Sequence, residues 1–170
     1  MTFDKIYQYN FPTTIRFGAG SSKELGAYLK SNNLSRPLVV TDPNVAELSF
    51  FKNIIKQLIS EGFSIETFKG IHKNPVKSDV YSGTDHWDQT ERDCVVGIGG
   101  GAALDVARAI LLRVNHREDL FKYDDLIGGD VFVTNDVPHF ITLPTTSGTG
   151  SEVGRSAIIS DDLTRQKKIL

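Results

Sequence analysis

Two hydrophobic patterns alternate along the chain. Short, continuous apolar runs are typical of strands that are buried on both faces, and they occur in TIRFGAG (14–20), RPLVVTD (36–42), FSIETF (63–68), CVVGI (94–98), HFITLP (139–144) and SAIIS (156–160). Between these runs, apolar residues recur at the spacing of a helix, in segments 21–33, 45–61, 76–90 and 102–114. The chain therefore alternates between predicted strands and predicted helices.

Individual residues predict where some helices begin and end. Ser21 and Glu24 have the spacing of a capping box, so the first helix is expected to begin at Ser21. One amphipathic helix is predicted from about Val45 to Glu61, with Gly62 as its C-cap. The buried face of that helix would carry Leu48, Phe51, Ile55 and Leu58, and the buried face of the last helix would carry Ala103, Ala107, Ile110, Leu111 and Val114.

The alternation of strands and helices indicates a parallel sheet covered by helices, with right-handed crossovers. We predict an α/β fold with a doubly wound, mostly parallel, Rossmann-like sheet in a three-layer arrangement. The polar, acidic segment 115–138 is expected to be an excursion with one helical turn. No internal repeat or flexible linker divides the 170 residues, a length typical of one domain.

The composition predicts a globular protein of the cytoplasm. Apolar residues make up 39% and charged residues 24%, and the net charge of −2 gives no indication of a nucleic-acid or membrane partner. The start, MTFDKIYQYN, lacks the features of a signal peptide, and no segment approaches the roughly 18 apolar residues of a membrane span. The single cysteine, Cys94, is expected to be a buried packing residue in a reducing compartment.

A cluster of glycines follows the CVVGI run, at the end of a predicted strand. Gly99, Gly100 and Gly101 would form a tight turn, and the helix starting at about Ala102 would offer free N–H groups and its positive dipole end to a phosphate. The alternative is a turn that only packs the helix against the strand. The spacing of Gly97, Gly99 and Ala102 matches the dinucleotide fingerprint in part, and the absence of a Gly-Lys-Ser/Thr phosphate loop argues against an ATPase.

Asp42 ends another predicted strand, just before a helix. Ligands of open parallel sheets bind outside the carboxyl ends of the strands, where a carboxylate can accept hydrogen bonds from a ribose diol. The same charge would repel a 2′-phosphate, so NAD is expected rather than NADP. The alternative is an aspartate that only starts a helix before Pro43.

A third stretch at a strand end, PTTSGTGSE (144–152), is rich in hydroxyl groups. Thr145, Thr146, Ser147 and Thr149 could donate hydrogen bonds to phosphate or ribose oxygens without adding charge, although Ser, Thr and Gly also form ordinary turns. The histidines have no spacing typical of a metal site, so each is expected to be a surface or loop residue: His72, His86, His116 and His139. No Ser–His–Asp or Cys–His arrangement is indicated.

Five stretches occur in an order that resembles the amino-terminal domain of the iron-containing alcohol dehydrogenase family: TIRFGAG, VVTD, KNP, DCVVGIGGGAALDVARAI and LPTTSGTGSEVGRSAIISDD. The most specific parts are the Gly-Gly-Gly-x-x-x-Asp turn and the Pro-Thr-Thr-x-Gly-Thr-Gly-Ser-Glu loop. The resemblance implies an oxidoreductase that transfers hydride between an alcohol and a nicotinamide cofactor. It also implies Fe²⁺ or Zn²⁺ held by one aspartate and three histidines in a second, helical domain.

The resemblance assigns positions of this chain to the cofactor. Gly99, Gly100, Gly101 and Ala102 would hold the pyrophosphate, and Asp42 would hold the adenine ribose. The other residues that it places near the nucleotide are Asn74, Asp105, Thr145, Thr146, Thr149 and one of Lys167 and Lys168. Two positions differ from the family pattern, because Ala102 replaces a usual serine and Arg108 a usual lysine.

We therefore expect residues 1–170 to be a dinucleotide-binding domain without the metal-binding half, able to bind NAD but to turn over no alcohol alone. Small alcohols or aldehydes would be substrates of the full enzyme. A glycerol-dehydrogenase or dehydroquinate-synthase-like enzyme is an alternative that PTTSGTGSE disfavours, and a nucleotide-binding module without catalysis is another. The sequence gives neither the alcohol nor the metal nor the oligomeric state, for which a homodimer is one option.

Overall fold

A four-stranded parallel sheet lies at the centre of the computed structural model, which describes residues 6–10 and 13–170. Its strands are β3 (Pro37–Val40), β4 (Glu66–Phe68), β5 (Cys94–Gly99) and β6 (His139–Pro144). They are ordered β4-β3-β5-β6, and each neighbouring pair is parallel. The carboxyl ends of all four strands therefore lie at one edge of the sheet.

Helices cover both faces of this sheet. They are α1 (Leu25–Ser31), α2 (Pro43–Glu47), α3 (Ser49–Ser60), α4 (Lys77–Thr90) and α5 (Gly101–Asn115). Val95 packs into a core with α4 and α5, whereas its neighbour Val96 packs into a second core with α1 and α3. Because successive strand residues point to opposite faces, continuous apolar runs follow from burial on both sides. The three-layer α/β prediction is confirmed.

Two small antiparallel sheets flank the central one. Strand β1 (Tyr7–Asn10) pairs with β2 (Thr14–Phe17), and β7 (Ile158–Ser160) pairs with β8 (Lys167–Ile169). The excursion contains three 3₁₀ turns rather than the predicted one, at Leu120–Tyr123, Asp125–Ile127 and Gly129–Phe132. Among the described residues, no helix is long and apolar enough to cross a membrane.

Helical structure begins at Ser21 as predicted, but two details of the predicted helices are wrong. No side chain caps the 3₁₀ turn Ser21–Glu24, because Glu24 forms an ion pair with Arg16 at 2.6 Å instead of closing a capping box. Leu48 adopts an extended ψ of 145° and is 48% exposed, so the predicted helix 45–61 is divided into α2 and α3. Gly62 follows α3 with a positive φ of 93°, as expected for a helix end.

Burial confirms most of the predicted core. The five apolar residues expected on the buried face of α5 are all buried, and so is Cys94, where burial raises the pKa of the thiol. His116 lies just past the end of α5, outside any helix or strand as predicted, but it is buried rather than on the surface. Its Nδ1 lies 2.9 Å from the Leu112 carbonyl oxygen, and its Nε2 accepts a hydrogen bond from the Asn135 N–H.

Candidate functional site at the carboxyl edge of the sheet

Three successive glycines, Gly99, Gly100 and Gly101, stand where β5 ends and α5 begins. They differ in how much room the structure leaves for a side chain. A Cβ on Gly99 would lie 2.7 Å from Cβ of Ala103, and a Cβ on Gly101 would lie 2.9 Å from Cγ2 of Thr149. The nearest atom to a Cβ on Gly100 would be Oγ1 of Thr146, at an ordinary contact distance of 3.4 Å. Packing therefore requires glycine at the two outer positions but not at Gly100.

Helix α5 begins in this turn. Gly100 is its N-cap, and no side chain among the described residues caps it. The first N–H groups of an α-helix have no partner within the helix, and together with the helix dipole they form a site for an anion. Ala102, the second residue of α5, is half-buried there and contributes a backbone N–H but no hydroxyl.

Asp42 lies beside the glycine turn, on the neighbouring strand end. Its Oδ1 accepts hydrogen bonds from the N–H groups of Asn44 (2.9 Å) and Val45 (3.0 Å), so it caps α2. Its Oδ2 lies 3.6 Å from the position that a Cβ on Gly99 would take. One oxygen thus starts the helix while the other faces the turn, so the two roles considered for Asp42 are compatible.

The hydroxyl-rich residues 145–152, here called the hydroxyl loop, fold over the glycine turn. The Thr145 N–H donates to the carbonyl oxygen of Gly99 at 2.9 Å. The side chains of Thr146 and Thr149 lie next to Gly100 and Gly101 respectively, as the distances above show. Three of the predicted cofactor residues, Thr145, Thr146 and Thr149, therefore gather with the glycines.

Asp105 lies deeper in the protein, one turn along α5. It is buried, and burial raises the pKa of its carboxyl group. The nearby Ile158 N–H and Ser151 hydroxyl and the charge of Arg108 oppose that shift. Asp105 therefore contacts the end of the hydroxyl loop, on the protein side of the site.

Asn74 is exposed in the connection between β4 and α4. That connection is held from two sides, because Asp79 accepts a hydrogen bond from the Val76 N–H and the Ser160 N–H donates to the Pro75 carbonyl. Among the described residues, no hydrogen bond joins Asn74 to the glycine turn. Asn74 follows β4, which ends at the same edge of the sheet as the strands before the other predicted residues. This shared edge is all that links Asn74 to them.

The structure distinguishes Lys167 from Lys168, which are adjacent on β8 and therefore point to opposite faces. Lys168 lies with its Nζ 3.1 Å from Oδ2 of the buried Asp124. Burial alone would raise the pKa of Asp124, but the hydrogen bond and charge of Lys168 and two backbone N–H donors hold it below its usual value. Lys167 is exposed and forms no ion pair with the residues that the structure describes.

A model of the iron-containing alcohol dehydrogenase family matches residues 12–170. The chain belongs to the iron-containing alcohol dehydrogenase family. The resemblance found in the sequence motifs is thus confirmed, and the glycine turn and hydroxyl loop described above lie within the matched part.

Relatives of this chain within the alcohol dehydrogenase family are named for different substrates. It is 30% identical over 161 residues to "Choline dehydrogenase" of Bacillus subtilis, covering 95% of the chain and 40% of that protein. It is 30% identical over 156 residues to "NAD-dependent methanol dehydrogenase" of Bacillus methanolicus, covering 92% of the chain and 40% of that protein.

A solved structure of sulfoacetaldehyde reductase from Bifidobacterium kashiwanohense in complex with NAD+ is similar in fold. It superposes with a TM-score of 0.81 at 25% identity, covering 100% of the chain and 43% of that protein. The chain thus spans about two fifths of the length of the relatives it matches.

A cavity of about 390 Å³ lies elsewhere, between α5, β6 and the excursion. Its lining includes Leu111, Tyr123, Val137 and Phe140, and none of the predicted cofactor residues is among the described residues that line it. The candidate site of this family member is therefore the open edge of the sheet. Within residues 6–10 and 13–170, no group of three or more His, Cys, Asp or Glu side chains could hold a metal ion.

Sequence reasoning missed the part that Arg108 plays next to the candidate site. The sequence shows only an arginine in place of a usual lysine, yet the guanidinium donates to two carbonyl oxygens of the segment that follows β6. These acceptors, in Ser151 and Ser156, lie more than 40 residues further along the chain. No local pattern in the sequence indicates such a contact.

Proposed function

We propose that this chain is the NAD-binding domain, residues 1–170, of a metal-dependent alcohol dehydrogenase. The observation that carries the proposal is the space at Gly100. The two outer glycines are explained by packing, whereas Gly100 has an ordinary φ of −81° and room for a Cβ. A glycine that the fold does not need, at the uncapped start of a long helix, is what close approach of a phosphate requires.

The residues around this space fit a dinucleotide. We assign the pyrophosphate to the N–H groups at the start of α5, in the turn Gly99–Ala102. The hydroxyls of Thr145, Thr146 and Thr149 would add uncharged donors. We assign the adenine ribose to Asp42, because Oδ2 faces the glycine turn while Oδ1 is used by α2.

Three further residues complete the proposed assignment. We place Asn74 near the cofactor because it follows a strand ending at the same edge. Of the two lysines, we assign Lys167 to the nucleotide, since Lys168 is engaged by Asp124. Asp105 acts from behind, by fixing the hydroxyl loop through Ser151.

When bound, NAD supplies a nicotinamide ring that accepts hydride from an alcohol. The residues of this chain bind and orient that cofactor. Two relatives, an NAD-dependent methanol dehydrogenase and a sulfoacetaldehyde reductase solved with NAD+, support NAD as the cofactor and a small alcohol or aldehyde as the substrate. We also infer a cytoplasmic location, from the single buried cysteine.

Calorimetric titration with NAD⁺ tests the proposal. The wild-type chain should bind, Gly100→Ala should bind more weakly, and Gly100→Val should not bind, because each added carbon fills the space required by the pyrophosphate. All three should unfold at similar temperatures. Gly154→Val is a matched control, since a Cβ there would likewise make only ordinary contacts, the nearest at 3.6 Å. Undiminished NAD⁺ binding by a folded Gly100→Val variant would overturn the assignment.

A further inference from the structure

Arg108 joins α5 to the segment that follows β6. Its Nη1 donates to the carbonyl oxygen of Ser156 at 2.8 Å, and its Nη2 donates to the carbonyl oxygen of Ser151 at 2.6 Å. The guanidinium carbon lies 5.3 Å from the centre of the Phe140 ring, within the range of a cation–π contact. Three elements therefore hold the guanidinium in one orientation.

The charge of Arg108 is compensated locally. The side chain is half-buried, and burial lowers the pKa of the guanidinium, while the carboxylates of Asp105 and Glu152 oppose that shift. The Ser151 hydroxyl lies near Asp105 and favours its charged form. Ser151 thus faces two side chains of the same helix, and its carbonyl oxygen is held by Arg108.

These contacts connect the two halves of the candidate site. Helix α5 begins at the glycine turn, and two turns later it carries Arg108. The hydroxyl loop leaves the turn at Thr145, crosses Gly101 with Thr149, and is then clamped at Ser151. The position of the hydroxyls relative to the helix start therefore depends on the length and direction of the Arg108 side chain.

A lysine could not replace this clamp. The guanidinium is a planar fork whose nitrogens donate in fixed directions, whereas an ammonium is a compact charge at the end of a flexible stem. One carbonyl acceptor for each terminal nitrogen, with an aromatic ring centred 5.3 Å from the guanidinium carbon, matches arginine geometry. Equal charge at position 108 is thus insufficient for the observed contacts.

We propose that Arg108 is a positioning residue for the cofactor: it holds the hydroxyl loop at the distance from the glycine turn that the pyrophosphate and the nicotinamide half of the dinucleotide require. This inference rests on the proposed function. In this proposal Arg108 does not contact the cofactor itself. It predicts that loss of the fork weakens the loop-dependent part of binding and spares the part that depends on Asp42.

The test compares NAD⁺ with adenosine as probes on the 170-residue chain. Arg108→Lys should weaken NAD⁺ binding about tenfold, the effect of losing one hydrogen bond to a charged group. Adenosine, which has no pyrophosphate or nicotinamide, should bind as in the wild type. A purely structural role would lower affinity for both probes together, so the difference between them is the decisive measurement.

Arg113→Lys is the matched control. Arg113 lies on the same helix, donates to the carbonyl oxygens of Arg117 and Glu118, and stacks on Tyr81 with 3.8 Å between guanidinium carbon and ring centre. The Arg113→Lys variant thus loses a similar set of guanidinium contacts, but away from the site. Its NAD⁺ affinity should equal that of the wild type. Equal effects of the two substitutions on NAD⁺ would overturn the inference.

A second variant covers the case in which Arg108→Lys does not fold. Phe140→Leu removes the ring under the guanidinium but keeps every hydrogen-bonding group, and it should weaken NAD⁺ binding in the same selective way, by a smaller factor. Unchanged NAD⁺ affinity in Phe140→Leu would then overturn the inference. If the wild type binds no NAD⁺, the proposed function fails. If it binds and neither variant is selectively weakened, only the role of Arg108 fails.

Discussion

Asp42 turns one carboxylate oxygen towards Gly99 and the other towards its own helix. Oδ2 lies 3.6 Å from where a Cβ on Gly99 would be, and Oδ1 accepts from Asn44 and Val45. Asp42 follows strand β3 and Gly99 ends strand β5, and these two strands are parallel neighbours in the sheet. A ribose at Asp42 and a pyrophosphate at the glycine turn would therefore be adjacent, as the parts of one dinucleotide are.

The two roles of Asp42 can be separated by two substitutions. Asp42→Asn keeps an oxygen that can cap α2 but removes the charge, so it should reduce the preference for NAD⁺ over NADP⁺ without loss of stability. Asp42→Gly should reduce the preference too, and should cost a few tenths of a kcal/mol to about 1 kcal/mol of unfolding free energy through the lost cap.

The expected size of the preference for NAD⁺ over NADP⁺ follows from the repulsion between the Asp42 carboxylate and a 2′-phosphate. A unit charge about 4 Å from another, at an effective dielectric near 20, is repelled by on the order of 4 kcal/mol before relaxation and screening. About a third of that energy is a tenfold difference in affinity. Dissociation constants for both cofactors, at one salt concentration, check it. A wild-type preference for NADP⁺ would show that the carboxylate does not face the ribose.

Neighbouring glycines should respond differently to alanine. A Cβ on Gly99 would approach Ala103 to 2.7 Å, and the residue has a positive φ of 156°. Gly99→Ala should therefore destabilise the fold by about 1–3 kcal/mol, the usual cost of overpacking. Gly100→Ala should leave the unfolding free energy nearly unchanged. Urea denaturation of both variants measures this, and equal stabilities would contradict the packing argument.

The two lysines of β8 should separate stability from binding. Lys168→Met would leave the carboxylate of Asp124, which is only 1% exposed, without its ion-pair partner. Breaking a buried pair in this way costs about 3 kcal/mol or more. Lys167→Met should leave stability unchanged and weaken NAD⁺ binding. Thermal unfolding and NAD⁺ titration of both variants distinguish them, and the opposite pattern would exchange the assignment of the lysines.

Asp93 should contribute to stability at acid pH. It accepts hydrogen bonds from the N–H groups of Ser35 (2.7 Å) and Arg36 (2.9 Å), tying the start of β3 to that of β5. Burial would raise the pKa of Asp93, but these donors, together with side-chain hydrogen bonds, hold it below the usual value. A carboxylate with a depressed pKa stabilises the fold above the unfolded pKa and loses that contribution as pH falls through the folded pKa.

The corresponding variant is Asp93→Asn. Its unfolding free energy should be lower than that of the wild type at neutral pH, and the difference should shrink as pH falls below about 4, the ordinary pKa of an aspartate. Urea denaturation at a series of pH values gives the difference. A difference that is independent of pH would show that the charge of Asp93 is not what stabilises the strand starts.

Local patterns were sufficient for the four-stranded sheet and for bringing Asp42, the glycine turn and the hydroxyl loop to one edge of it. Continuous apolar runs identify strands such as β5 because burial on both faces is a property of the strand itself. Helical spacing could not reveal the break at Leu48, since an apolar residue at the right interval gives no sign of an extended ψ. The hydrogen bond from Arg108 to Ser151 and the ion pair of Lys168 with Asp124 each join segments that are distant in the chain. The sequence shows that these side chains are charged or polar, but not which of them meet.

The 170-residue chain should bind NAD⁺ without oxidising an alcohol. Binding requires only the edge of the sheet, where the glycine turn and the hydroxyl loop meet. Oxidation in a metal-dependent enzyme needs a metal to stabilise the alkoxide, and no group of three or more His, Cys, Asp or Glu side chains among the described residues could hold one. The measurement is NADH absorbance with a series of primary alcohols and diols, with Fe²⁺ or Zn²⁺ added, alongside calorimetry with NAD⁺ as proof of a functional fold. Metal-dependent NADH formation by these residues alone would mean that metal ligands assemble within this chain, and would overturn its assignment as a nucleotide-binding domain only.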